Sequence, residues 1–408
     1  MFHSRLVSTN ASRLVPLGML LTALMLSGCG RAVTRSPVPA NLAEGASIRG
    51  FQAIRFWGDR NDPSLFNDLT QIMRQHPAGD NPQDPAGPGW GGLVLSGGGD
   101  NGAFGAGILC GWTAHGDRPK FRIVTGVSTG ALIAPFAFLG SKYDPQLKTA
   151  YTTISASDVL RKRKLMDWFS GDSIADSKPL QEYSAELVTD EMIRQIAVEH
   201  RKGRRLYVQT VNLDAQRPVV WDMGAIACSD NPDAPRLFRQ IMVASAAIPG
   251  VFPPQYISVE ANGRKYDEMH VDGGTVSQML LSTLPVDLEK FSDTARGQAP
   301  TATRRPRIYV IRNGRVGAEW QDTPPKLVAI AGRAISTMIK AQSMAELNLM
   351  YQTTRNAGID FLLCYIPDDY VRQARSEFDT VEMNRMFMLG HDLARSGNPW
   401  HEAPPRFE

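Results

Sequence analysis

The sequence predicts an α/β domain layered on a mostly parallel sheet. Two observations carry that expectation. From residue 92 onward, short runs of β-branched residues and leucine alternate with longer helical patterns, and the first four elements follow one another as strand, helix, strand, helix. The composition, 43% hydrophobic and 21% charged over 408 residues, is ordinary for a folded chain long enough to bury a large core.

Taken in order, Leu93-Val94-Leu95 reads as a strand, 102–115 as a helix of small residues, 121–125 as a second strand and 129–139 as an apolar helix. Further strands are expected at 205–212, 218–221, 269–271, 307–312 and 360–366. Helices are expected at 237–247, closed by Pro249, at about 325–351 and at 378–395. No internal repeat and no clean boundary interrupts 92–400, so that stretch reads as one domain, followed by a short tail at 401–408.

The 13-residue apolar run from Leu14 to Leu26 follows a segment bearing Arg5 and Arg13 and no acid. It is too short to span a bilayer and has the flanks of a signal peptide. Its end, Leu26-Ser27-Gly28-Cys29, resembles a bacterial lipobox. The resemblance implies a leader at 1–28 and a Cys29 thiol that carries the lipid anchor, with acyl chains such as palmitate. Gly30 in place of Asp resembles outer-membrane sorting, so the expected location is the cell envelope, on the outer membrane. Residues 29–91, rich in Pro and Gly at 31–50 and 76–91, read as a tether and N-terminal extension.

Lys and Arg total 44 against 41 Asp and Glu. Removing Arg5 and Arg13 with the leader leaves 42 against 41, a near-neutral body that gives no support to a nucleic-acid partner. Protein partners are not readable. None of the four cysteines, Cys29, Cys110, Cys228 and Cys364, falls in a paired C-x-x-C spacing, so neither a zinc site nor a disulfide scaffold is suggested.

Three short motifs carry chemistry. The first, Ser96-Gly97-Gly98-Gly99-Asp100-Asn101-Gly102, lies between a strand and a helix, where consecutive glycines let backbone N–H groups converge on an anion or oxyanion. A dinucleotide site would want an acid ending the next strand, which ends Val124-Thr125-Gly126 instead, and a P-loop would want Lys-Ser/Thr after the glycines. The second, Gly126-Val127-Ser128-Thr129-Gly130, has the small residues that a serine on a sharp strand-to-helix turn requires. The third, Asp272-Gly273-Gly274, puts a carboxylate at a strand end, a plausible partner for a nucleophile; alone it reads rather as a simple turn.

In this order and at these separations the three motifs resemble the blocks of the patatin-like phospholipase family. Ala244-Ser245-Ala246-Ala247-Ile248-Pro249-Gly250-Val251-Phe252-Pro253-Pro254 is similar to the family's segment between nucleophile and acid. The resemblance covers about 92–285. It implies a three-layer α/β/α fold and a serine lipid acyl hydrolase with Ser128 as nucleophile, Asp272 as its partner and an acyl-enzyme intermediate. It further implies an oxyanion hole at Gly97, Gly98, Gly99, Asn101 and Gly102, an elbow flanked by Gly126 and Gly130, and an acid motif completed by Gly273 and Gly274. The substrate is expected to be a lipid acyl ester, with no metal or organic cofactor.

The chain departs from the family pattern twice. Asp100-Asn101 stands where an Arg or Lys usually follows the glycines, and Thr275-Val276-Ser277-Gln278 replaces the usual ending after the acid motif. Two rival readings follow: a lipid-binding lipoprotein that keeps the fold without catalysis, and an esterase whose triad is closed by His391. His270, two residues before Asp272, shares its strand face and reads as a structural histidine or a base. The cationic run Arg161-Lys162-Arg163-Lys164, before Leu165-Met166-Asp167-Trp168-Phe169, reads either as a solvated turn or as a surface for anionic lipid.

Overall fold

A computed structural model describes residues 35–75, 91–155, 161–162, 175–176, 178–280, 288–290 and 305–405. In chain order its elements are β1 (Arg55–Trp57), α1 (Pro63–Gln75), β2 (Gly91–Leu95), α2 (Gly102–His115), β3 (Ile123–Val127), α3 (Thr129–Leu139) and α4 (Asp144–Thr152). After the two-residue strands β4 (Arg161–Lys162) and β5 (Ala175–Asp176) come α5 (Lys178–Leu187), α6 (Asp190–Arg201), β6 (Arg205–Asn212), β7 (Arg217–Asp222), α7 (Met223–Ala227) and α8 (Ala234–Ser245). The chain continues through β8 (Gln255–Ala261), β9 (Arg264–Asp272), β10 (Arg307–Arg312), α9 (Leu327–Asn356), β11 (Asp360–Tyr365) and α10 (Thr380–Arg395).

The main sheet runs β1-β7-β6-β3-β2-β10-β11, with β9 also on β6 and β8 on β9. The five strands from β6 to β11 are parallel, and β1, β7, β8 and β9 pair antiparallel at the β6 edge. Side chains alternate between two apolar layers, as strand geometry requires. Leu93, Leu95, Leu206, Val208 and Ile311 face the layer that holds α2, α3, α8 and α10. Val94 and Val310 face α9 across the sheet, and Tyr207 and Val220 face Leu65 and Leu69 of α1. The domain is therefore the three-layer α/β/α fold expected, with a mostly parallel centre.

The small-residue character of α2 has a packing cause. A Cβ at Gly107 would lie 2.1 Å from the Phe387 carbonyl, and one at Gly111 2.1 Å from that of His391, so α10 crosses α2 backbone to backbone.

Some boundaries differ from the sequence reading. The second strand begins and ends two residues later, at Ile123–Val127, because Phe121 is buried as loop and not as strand. Strand β9 extends over Arg264–Asp272, and its partner β8, with alternating burial, was not anticipated. The extension read as a tether is, in its described part, built into the body. Ser47 bridges Glu260, Asp267 donates to the Ser36 carbonyl, β1 zips onto β7, and α1 covers the sheet with Leu65 and Leu69. The segment expected to be a leader, with Cys29, and residues 163–169 of the cationic run lie outside the described residues.

Candidate active site

The site is assembled by register. Strand β6 pairs with β3 as far as Val127↔Gln209, then with β9 from Thr210↔Asp272. Asp272 is thereby set beside the residue that follows β3, which is Ser128. The Ser128 hydroxyl donates to Asp272 Oδ2 at 2.6 Å, across 144 residues of sequence.

Ser128 sits on the turn from β3 into α3 with φ 55 and ψ −126, a conformation that costs a non-glycine residue about 1–3 kcal/mol and persists only where its surroundings enforce it. The glycines of the elbow explain how. A Cβ at Gly126 would lie 2.4 Å from the Gly130 carbonyl, and one at Gly130 2.3 Å from that of Leu95. The Ser128 N–H donates to Ser245 Oγ at 3.0 Å, and Ser245 donates in turn to the Gln209 carbonyl at 2.7 Å.

Asp272 is 4% exposed. Burial drives its carboxyl up to about 7, against the lowering effects of the Ser128 hydroxyl and the Gly274 N–H. Gly274 donates to Oδ1 at 2.7 Å, so the two oxygens are divided between the backbone turn and the serine. Gly273 lies flat against β6, where a Cβ would meet the Gln209 carbonyl at 2.6 Å.

Within the glycine block the backbone amides divide into two sets. Gly97 donates to the Gln278 carbonyl at 3.1 Å, Asn101 to that of Gly98 at 3.1 Å, and Gly102 to that of Gly99. The Gly98 and Gly99 amides have no hydrogen-bond partner among the described residues. Gly98 is pressed against Asn313, whose carbonyl a Cβ would meet at 2.2 Å, whereas Gly99, at φ 59, opens onto space beside Ser128. Of the five residues expected to form an oxyanion hole, two therefore present free N–H groups, and Gly97, Asn101 and Gly102 use theirs to hold the loop.

From Ser128 and Gly99 an apolar cleft runs between Leu132, Tyr151, Ile154, Leu180, Phe252 and Phe378. Such a lining suits a hydrocarbon chain. A larger concavity of about 630 Å³ lies at the opposite end of the sheet, where β10 and β11 begin, and its described lining residues include no serine or cysteine. It is remote from Ser128.

Neither histidine joins this arrangement. His270 is fully buried, and its two ring nitrogens are taken by Thr210 Oγ1 at 2.9 Å and Glu268 Oε2 at 3.0 Å. Thr210 accepts from the Trp221 indole at 2.8 Å, so its single proton is free for His270 Nδ1, and the imidazole donates from Nε2 to Glu268. Burial opposes charging of His270. Glu268 is held down to about 2, because His270 and Arg55 outweigh its burial. His391 lies on α10 beside Asp392 and stacks on Phe387.

Sequence reading missed the supports. Ser245 lay in the quoted stretch between nucleophile and acid but carried no separate signal. Gln278 ties the two halves of the site, since its carbonyl accepts from Gly97 and its Nε2 donates to the Gly274 carbonyl at 3.0 Å. Glu346 of α9 accepts the N–H groups of Gln278 and Met279 at 3.0 Å, and burial raises its carboxyl to about 7. Among the described residues no cluster of side chains is arranged to hold a metal, and no helix is long and apolar enough to cross a membrane.

The family model for patatin-like phospholipases matches residues 93–288, a span that takes in all three motifs. Among solved structures, VipD from Legionella pneumophila is 11% identical with a TM-score of 0.38, covering 76% of this chain and 66% of VipD. The type III effector protein ExoU is 12% identical with a TM-score of 0.26, covering 78% of this chain and 56% of ExoU. The chain thus spans less than two thirds of either neighbour. A search of curated proteins gives no match.

Proposed function

We propose that this chain, whose residues 93–288 form a patatin-like phospholipase domain, is a serine hydrolase of lipid acyl esters that works through a Ser-Asp dyad. The observation that carries the reading is the 2.6 Å hydrogen bond from Ser128 to a buried Asp272 whose carboxyl is raised to about 7. An ordinary carboxylate is a weak acceptor for a serine proton, and desolvation makes this one more basic.

In this mechanism Ser128 Oγ attacks the ester carbonyl carbon while its proton passes to Asp272 Oδ2. The carbonyl oxygen becomes an oxyanion facing the free N–H groups of Gly98 and Gly99. As the tetrahedral intermediate collapses, the carbon–oxygen bond to the alcohol breaks and the alcohol leaves with the proton from Asp272. Water, deprotonated by Asp272, then attacks the acyl-serine, and the fatty acid departs as Ser128 recovers its proton. The acyl chain occupies the cleft beside Phe252 and Phe378 during both steps, and phospholipid is the substrate class the family points to.

The reading also places the protein in the cell envelope, tethered to the outer membrane by a lipid on Cys29, which Leu26-Ser27-Gly28-Cys29 supports. Chromogenic acyl esters of rising chain length test the enzyme reading: the native chain turns them over and Ser128→Ala does not. Equal turnover by the two proteins would remove the hydrolase and leave the rival, a lipid-binding module.

A further inference from the structure

The first four turns of α9 bury no side chain. From 327 to 342 no residue is buried, and Leu327 is 84%, Val328 83% and Met338 62% exposed. Sixteen residues of helix extend about 24 Å, and helices in water rely on packing of an apolar face. The same helix is well packed further on, where Ser343, Leu347, Met350 and Thr354 face the body.

The free half is amphipathic on a different side. At 3.6 residues per turn, Leu327, Ala331, Ala334, Ile335 and Met338 fall together, away from the line continued by Ser343 and Leu347. Lys326, Arg333 and Lys340 recur every seven residues on the opposite side. No acid occurs between Asp322 and Glu346, and 315–345 holds four cations against two acids, a net charge of +2. Lys340 donates to Glu319 at 2.7 Å and to the Gly317 carbonyl, and Arg333 donates to Gln321 Oε1 at 3.2 Å and to the Glu319 carbonyl, surface contacts that a phosphate can replace. Just ahead of the helix, Trp320 is 90% exposed.

We propose that this arm of α9, with Trp320, is a docking surface for an anionic lipid bilayer. The helix lies in the interface with its apolar side among the acyl chains, Trp320 at headgroup depth, and the cations reaching phosphate. A second copy fits the same surface less well. Self-pairing would bring another set of cations and no carboxylate from 323–345, and the apolar side is broader than the narrow seam of a coiled coil. Glu346, on the packed half, holds Gln278 beside the acid motif, so the docked helix is tied to the candidate site. The inference rests on the proposed lipid hydrolase in that a bilayer is where its substrate lies.

Amide hydrogen exchange of the full chain, read at 327–342, tests it without interference from an N-terminal anchor, because the readout is local. In solution these amides exchange quickly, and vesicles of equal parts phosphatidylcholine and phosphatidylglycerol slow them by roughly tenfold or more. Lys326→Glu with Arg333→Glu removes most of that protection, as does Leu327→Asp with Met338→Asp. Exchange unchanged by vesicles overturns the proposal. Protection that grows with protein concentration in the absence of vesicles makes a second copy the occupant and overturns it equally. The arm variants hydrolyse a soluble short-chain ester at the native rate. Protection by vesicles in a native chain that hydrolyses no ester keeps the docking surface and removes the hydrolase.

Discussion

The guanidinium of Arg372 lies 2.6 Å from the carboxylate of Asp100, across 272 residues of sequence. Asp100 is 3% exposed and also accepts the Phe378 N–H at 3.0 Å, while Arg372 donates to Asn101 Oδ1 at 3.0 Å. No cation follows the glycine block in the sequence, and the fold sets one there from a distant loop. One carboxylate thereby joins the turn that bears the free amides to Phe378, which has φ 55 and lines the apolar cleft.

Arg372→Ala leaves Asp100 buried without its cation. Because Arg372 is 35% exposed, the expected loss is below that of a fully buried pair, about 2 kcal/mol. The loosened Phe378 also changes the chain-length preference for acyl esters, and Arg372→Lys restores part of both. A thermal midpoint and an ester series together check this; an unchanged midpoint and an unchanged preference would show the contact to be incidental.

Asp272 links activity and stability to pH in opposite directions. As a base it must be ionised, so turnover climbs as pH rises through about 7 and levels above it. For stability, the folded carboxyl keeps a proton that the unfolded chain has lost between the ordinary value of 3.8 and about 7. The contribution of this group is most favourable below that window, falls as pH rises through it, and is flat beyond, with roughly 4 kcal/mol as an upper bound. Asp272→Asn therefore loses orders of magnitude in turnover yet melts higher than the native chain at pH 8, and the difference shrinks toward pH 5. A variant that melts lower at pH 8 than the native chain contradicts the desolvated carboxylate.

The histidines separate a dyad from a triad. His391→Ala keeps near-native turnover, since the partners of its ring, Asp392 and Phe387, both lie on α10 and neither belongs to the Ser128–Asp272 pair. His270→Ala strips Thr210 and Glu268 of a buried partner and costs about 2–3 kcal/mol, but turnover per folded molecule survives. Measured beside Ser128→Ala, a folded histidine variant with equally little activity would put an imidazole in the mechanism.

The envelope anchor is tested at one atom. Cys29→Ser no longer incorporates labelled fatty acid or partitions with membranes; acyl label remaining at the N-terminus of the variant removes the lipobox reading.

Sequence by itself determined the layered α/β class, which local patterns carry, and singled out Ser128, Asp272 and the glycine block through the order and spacing of three motifs that are each weak alone. Side-chain periodicity marks strands and helices, and a serine on a strained turn needs its small neighbours within two residues. It did not reveal β8, although Gln255–Ala261 alternates in burial, nor that β1 and α1 belong to the body, since a three-residue strand carries almost no periodic signal. Only the tertiary structure decided which glycine amides stay free, that both nitrogens of His270 are occupied, and that Gln278, Glu346 and Arg372 support the site. Most of those outcomes include a contact spanning about 60 to 270 residues, and a hydrogen bond between distant segments leaves no pattern in either segment alone.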